Sequence, residues 1–140
     1  MCSREAASPV PGGGPVSPQR ILVIEDSHAD ALLLELAFQE VAPHVRIDVV
    51  HDGEAALPAF RHGPPPDLVL LDLHLPRVDS LELLADLRAH AGPEVRLVLW
   101  SSLALPREVE TAYASGATAY VEKPVGQDDL MRLAQRLLAL

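Results

Sequence analysis

Five side chains could do chemistry together if the fold brings them to one place: Glu25 and Asp26 in "VIED", Asp72 in "LLDLHLP", Ser101 in "LWSS" and Lys123 in "YVEKP". Each closes a short apolar run, where one more apolar residue would cost nothing. Three carboxylates held close together repel by several kcal/mol unless something neutralises them. A hard divalent cation with oxygen ligands is the cheapest neutraliser, and Mg²⁺ suits one or two carboxylates plus a phosphate. Lys123 is the chain's single lysine beside ten arginines. A compact ammonium on a flexible stem suits a carboxylate or a phosphoryl oxygen in a confined pocket. Each residue also has a plainer reading. Asp72 could end a strand or cap the next segment, Glu25 and Asp26 could cap a following helix, Ser101 could be a turn residue, and Lys123 a solvated strand end.

The elements that must position these residues follow from periodicity. Residues 1–19, rich in proline with three consecutive glycines, cannot bury enough apolar surface to offset their ordering entropy and read as a disordered tail. From Arg20 onward, β-rich runs alternate with segments of helical spacing. Strands are predicted over 20–26, 44–50, 67–73, 95–102 and 117–122. Helices are predicted over 27–42, 52–63, 79–92, 106–116 and 126–140. Ser27 reads as the first helix's N-cap, with Asp30 three residues on in a capping-box-like pattern. Strict alternation predicts parallel strands joined by right-handed crossovers, and runs such as "ILVI" and "LVLL" suit strands covered on both faces. The expected architecture is a doubly wound, five-stranded α/β sheet of flavodoxin-like order 2-1-3-4-5, with a single domain over 20–140. Such sheets bind ligands at the carboxyl ends of their strands, where the order reverses. Glu25, Asp26 and Asp72 would then meet at one switch point.

Composition narrows the partners. A net charge of −9 and a pI near 5.0 argue against nucleic acid or an anionic membrane as a direct partner. Cys2 alone excludes an internal disulfide and a multi-cysteine metal site, and six scattered histidines lack a zinc-binding spacing. No apolar run approaches the roughly 20 residues of a membrane helix, and the first residues lack a signal-peptide pattern. A cytoplasmic location is expected.

With "VIED", "LLDLHLP", "LWSS" and "YVEKP" in this order and spacing, the chain from Arg20 to Leu140 resembles the receiver domain of bacterial response regulators, the phosphoaspartate switches of two-component signalling. "DLHLPRVDS" and the "AYVEKPV" ending look most like single-domain regulators that partner bacterial phytochromes. The resemblance implies that Asp72 is the nucleophile that takes a phosphoryl group from a kinase phosphohistidine. It implies that Glu25, Asp26 and Asp72, with the backbone carbonyl of His74, hold Mg²⁺. Lys123 would pair with phosphoryl oxygens, Ser101 would hydrogen-bond one of them, and Tyr120 would change rotamer as Ser101 moves. The Lys123–Pro124 peptide is expected to be cis. The protein would not be an enzyme beyond catalysing its own phosphorylation and dephosphorylation. Two departures stand out. Ser80 replaces the family's usual glycine, which is expected to alter the backbone without touching the site, and Ser101 replaces the commoner threonine. His74 and Leu103 occupy variable positions flanking the pocket and are expected to slow hydrolysis of the phosphoaspartate.

The last helical segment ends with the chain, so output is expected through contact with another protein or a second copy. The family commonly dimerises through the face here formed by residues 106–140. On the first helix, Leu34, Ala37, Phe38 and Val41 form a core stripe, while Leu32 and Leu36 fall on the wetter face and are candidates for docking a sensor kinase. Rival readings are a small α/β phosphatase, a flavin-binding domain, and a receiver-like scaffold that is never phosphorylated. A phosphatase of that type wants a second aspartate two residues after the nucleophile, which "IEDSHAD" does not supply. The acidic "EDSHA" would repel a flavin phosphate, and the intact set of five residues weighs against the scaffold.

Overall fold

The computed structural model describes residues 18–140, so nearly all of the tail expected over 1–19 lies outside the described residues. The chain is anchored from Gln19: its N–H and that of Arg20 both donate to Asp67 Oδ2, at 2.8 and 3.0 Å. Five strands follow: β1 (Arg20–Ile24), β2 (Arg46–Val50), β3 (Leu68–Asp72), β4 (Arg96–Ser101) and β5 (Ala119–Glu122). They form one sheet in the order β2-β1-β3-β4-β5, every pair parallel. The helices between them are α1 (His28–Val41), α2 (Ala56–His62), α3 (Ser80–Ala91), α4 (Pro106–Ala114) and α5 (Gln127–Leu138).

The period-two geometry of a strand sends alternate residues to opposite faces. Ile21, Val23, Leu68, Leu70, Val98 and Trp100 pack with Leu34, Phe38 and Leu133 beneath α1 and α5. Leu22, Ile24, Val69, Leu71, Leu97 and Leu99 pack with Leu84, Leu87 and Ala112 beneath α2, α3 and α4. Both faces of β1, β3 and β4 are therefore buried, which is why their sequences are apolar at consecutive positions.

Three local expectations are corrected. The segment expected as a helix over 52–63 is a 3₁₀ turn (Gly53–Ala55) followed by α2. Pro58 falls in the first turn of α2, where a missing N–H breaks no helical bond. The start of α1 has only half of a capping box. Ser27 Oγ accepts from Asp30 N at 3.2 Å, but Ser27 N donates to Glu25 Oε2 rather than to Asp30. Among the described residues no peptide bond is cis, so Lys123–Pro124 is trans, the isomer that X–Pro bonds favour by about 0.5–1 kcal/mol.

Candidate functional site

Sheet order alone brings the acids together. β1 and β3 are neighbours, with Ile24 paired to Leu71, so Glu25 and Asp26 emerge beside Asp72 at the carboxyl edge. One oxygen from each of Glu25, Asp26 and Asp72 lies within 4.8 Å of the others. Glu25 is fully buried and Asp72 nearly so, while Asp26 is exposed. The backbone fixes both buried carboxylates: Ser27 N donates to Glu25 Oε2 at 3.0 Å, and His74 N donates to Asp72 Oδ1 at 2.9 Å.

β5 delivers the cation. Lys123 N donates to Ser101 O at 2.8 Å, which registers the segment after β5 against the end of β4. The Lys123 ammonium then lies 2.8 Å from Glu25 Oε1, 3.0 Å from Asp30 Oδ2 and 3.4 Å from Asp72 Oδ2. It also stands 5.0 Å from the centroid of the Trp100 ring. These anions push the Lys123 pKa up, outweighing the burial that would lower it. Glu25 moves the other way from an ordinary carboxylate. Burial foremost, and then the adjoining Asp72 carboxyl, raise it to about 7, although Lys123 and the Ser27 amide pull it down.

The residues present fit a divalent cation. All three carboxylates offer hard oxygen donors, and Glu25 Oε1, which faces the Lys123 ammonium at 2.8 Å, keeps a further lone pair for a cation.

On the opposite rim, the buried Ser101 hydroxyl donates to Leu103 O at 2.7 Å, accepts from Leu103 N at 3.0 Å, and lies 3.3 Å from His74 Nδ1. The other ring nitrogen, Nε2, is 3.5 Å from Glu108 Oε2. Glu108 belongs to the first turn of α4, where its Oε1 accepts from Leu105 N. Tyr120 packs on the α2–α4 side of the sheet with its hydroxyl buried and without a hydrogen-bond partner. Burial raises its pKa, and the nearby Ser101 hydroxyl offsets part of that shift without a formed bond. Leu103 projects into solvent.

The structure thus gathers Glu25, Asp26, Asp72 and Lys123 in one pocket, with Ser101 and His74 on its rim. Leu32 and Leu36 lie outside it, exposed on α1. Sequence reasoning missed Asp30 and Glu108. The first was assigned to a capping pattern, and its ion pair spans 93 residues of chain. The second sits in an α4 start whose proximity to His74 depends on how α4 docks.

Comparisons with known proteins agree on one family. Residues 21–135 match the model described as "Response regulator receiver domain". The chain is 32% identical over 126 residues to "Probable methanogenesis regulatory protein FilR2" of Methanothrix harundinacea, covering 86% of this chain and 81% of that protein. It is 27% identical to "Response regulator Rcp1" of Synechocystis, covering 84% and 85%. The Mn²⁺-bound structure of Rcp1 superposes with a TM-score of 0.73 over 85% of this chain and 91% of that one, at 27% identity. The phosphorylated cyanobacterial phytochrome response regulator RcpA superposes with a TM-score of 0.75 over 84% and 89%, at 25% identity. Among the described residues no helix is long and apolar enough to cross a membrane.

Proposed function

We propose a function from one established premise: the chain belongs to the response regulator receiver domain family. Receiver domains are signalling phosphoacceptors that work with histidine kinases. In this chain Asp72 is the acceptor, and the observation that carries the assignment is the meeting of Glu25, Asp26 and Lys123 around it.

An oxygen of the Asp72 carboxylate attacks phosphorus. A new P–O bond forms while the bond to the donor nitrogen breaks, and that electron pair stays on the donor imidazole. The product is an acyl phosphate. Such a transfer asks the protein chiefly for position and charge compensation. Asp72 is preset by the His74 amide on Oδ1, which leaves Oδ2, facing Lys123, as the reacting edge. Lys123 offsets charge gathering on the phosphoryl oxygens. Ser101 turns its hydroxyl from Leu103 O to one of those oxygens, and Tyr120, with a buried and unbonded hydroxyl, repacks with it. Glu25, Asp26, Asp72 and the His74 carbonyl would hold a divalent cation, Mg²⁺, and it would supply positive charge to offset the carboxylates and the phosphoryl oxygens.

The protein works as a stand-alone regulator over residues 20–140, is not an enzyme beyond its own phosphorylation cycle, and acts in the cytoplasm. The stand-alone reading is supported by FilR2 and Rcp1, most of whose length the chain spans. Its kinase is of the bacterial phytochrome type, as the likeness to RcpA supports, and docks on Leu32 and Leu36 of α1. Its output is protein contact, including a homodimer through residues 106–140. Incubation with acetyl phosphate and Mg²⁺ tests the central step. The expected result is an alkali-labile mass gain of one phosphoryl group that requires Mg²⁺ and is absent from Asp72→Asn. No gain, or a gain that survives the substitution, overturns it.

A further inference from the structure

We infer that Asp30 is a positioning residue for Lys123, holding the ammonium beside Asp72 once a divalent cation engages Glu25, Asp26 and Asp72. The inference rests on the phosphoacceptor reading for its consequence, though not for its geometry.

Asp30 lies in the first turn of α1, where an aspartate is ordinarily explained by capping or by the helix dipole. Its backbone N–H does serve the cap, at Ser27 Oγ, but its carboxylate does not. That carboxylate reaches across to Lys123 Nζ and accepts a 3.0 Å hydrogen bond. Lys123 therefore faces three carboxylates, and two of them, Glu25 and Asp72, belong to the cluster suited to a cation. Asp30 does not belong to it.

The division has a physical consequence. When Glu25 and Asp72 share their charge with a cation, their pull on Lys123 weakens, and only Asp30 keeps its full charge for the ammonium. A lysine stem has many rotamers, so an ammonium without an anchor spends less of its time near the reacting oxygen. Glu25 lies at the floor of the pocket, wholly buried, while the Asp30 side chain is 40% exposed at its rim. Asp30 thus holds the ammonium from the more exposed side of the cluster.

Two readouts test this. The first is the phosphorylation rate with acetyl phosphate at saturating Mg²⁺. Asp30→Ala should slow it about tenfold, as expected for a misplaced charge-compensating group. Asp30→Glu, which keeps the charge, should recover much of the rate, whereas Asp30→Asn, which keeps an oxygen acceptor but not the charge, should recover little. In a Lys123→Ala background Asp30→Ala should change the rate less than about twofold, because the two residues act as one unit. The second readout needs no phosphodonor. Trp100 is the only tryptophan and lies 5.0 Å from the ammonium. With Mg²⁺ bound, its emission in Asp30→Ala should shift in the same direction as in Lys123→Ala, and Asp30→Glu should stay nearer wild type than Asp30→Asn. An Asp30→Ala rate equal to wild type, or an equal loss with and without Lys123, overturns the inference. So does Trp100 emission that moves in Lys123→Ala but not in Asp30→Ala. If the wild-type protein accepts no phosphoryl group, the phosphoacceptor reading fails by itself, and the emission series still decides whether Asp30 holds Lys123.

Discussion

The buried hydroxyl of Ser80 donates a 2.8 Å hydrogen bond to the backbone carbonyl of Asp72, eight residues back in the chain. Ser80 was expected to alter the backbone where the family usually has glycine and to leave the site alone. Instead it is an ordinary first residue of α3, capped by Asp79, and its side chain ties the helix to the end of β3. The same oxygen accepts weakly from Leu75 N, at 3.4 Å, so the hydroxyl braces both ends of the turn that carries His74. The left-handed residue of this loop is Arg77, with φ of 65°, held by ion contacts to Asp52 and Glu54.

Ser80→Ala should therefore lower stability by about 1–2 kcal/mol, the cost of a buried hydrogen bond lost without replacement. Urea unfolding measures it, with an unchanged slope expected. A midpoint equal to wild type would mean that the Asp72 carbonyl finds another partner.

How much of this was visible beforehand depends on what each signal averages over. The order β2-β1-β3-β4-β5 was legible because alternation along 120 or so residues leaves few topologies open. Asp72 and Glu25 were legible because an acid interrupts an otherwise apolar strand. The carboxylate of Asp30 was not, because a helix's first turn gives an aspartate a local explanation that hides a distant partner. Likewise, "HVRIDVV" shows a strand but not that only Arg46–Val50 pairs with β1. Nothing local to "PREVE" announces that Glu108 will face His74, since that contact exists only once α4 has packed.

Glu25 gives the cation-free protein a pH dependence of definite sign. Its pKa rises from 4.5 in the unfolded chain to about 7 in the fold, so the native state binds the proton more tightly. That contribution is fully present below pH 4.5 and is lost as pH rises through about 7. Thermal melts in chelator should show a decline of about 2–3 kcal/mol across this window from this group. Glu25→Gln should remove that decline. Because a cation must displace the same proton, Mg²⁺ affinity measured by Trp100 fluorescence should rise by up to about tenfold per pH unit below pH 7.

The leucines of α1 separate core from surface. Leu34 is wholly buried between helix and sheet, while Leu32 and Leu36 are 55% and 45% exposed. Leu34→Ala should cost about 2–5 kcal/mol, whereas Leu32→Ala and Leu36→Ala should each stay within about 0.5 kcal/mol. Both surface variants should accept phosphoryl from acetyl phosphate at the wild-type rate. Val41, expected in the core stripe, is only partly buried, so its truncation should cost less than that of Leu34.

His74 and Leu103 are both expected to slow hydrolysis of a phosphoaspartate, and their side chains are set differently. Leu103 is 69% exposed and directs its backbone, not its side chain, at Ser101, through bonds of 2.7 and 3.0 Å. An apolar group in solvent screens little. His74 is set differently: one ring nitrogen is 3.3 Å from Ser101 Oγ and the other 3.5 Å from Glu108, so its ring spans the rim between β4 and α4. Although 54% exposed, this ring is tethered at both nitrogens beside Ser101, so it is the better placed of the two to screen a phosphoryl group on Asp72. His74→Ser should therefore shorten the life of the phosphorylated protein several-fold, Leu103→Ser should alter it little, and the pair should behave as His74→Ser alone. Glu108→Gln, which weakens the hold on the ring, should fall between wild type and His74→Ser. Following loss of the phosphoryl mass after rapid removal of acetyl phosphate gives all four rates. Equal acceleration by Leu103→Ser and His74→Ser would refute this division of labour, and no acceleration by either would show that neither side chain shields the acyl phosphate.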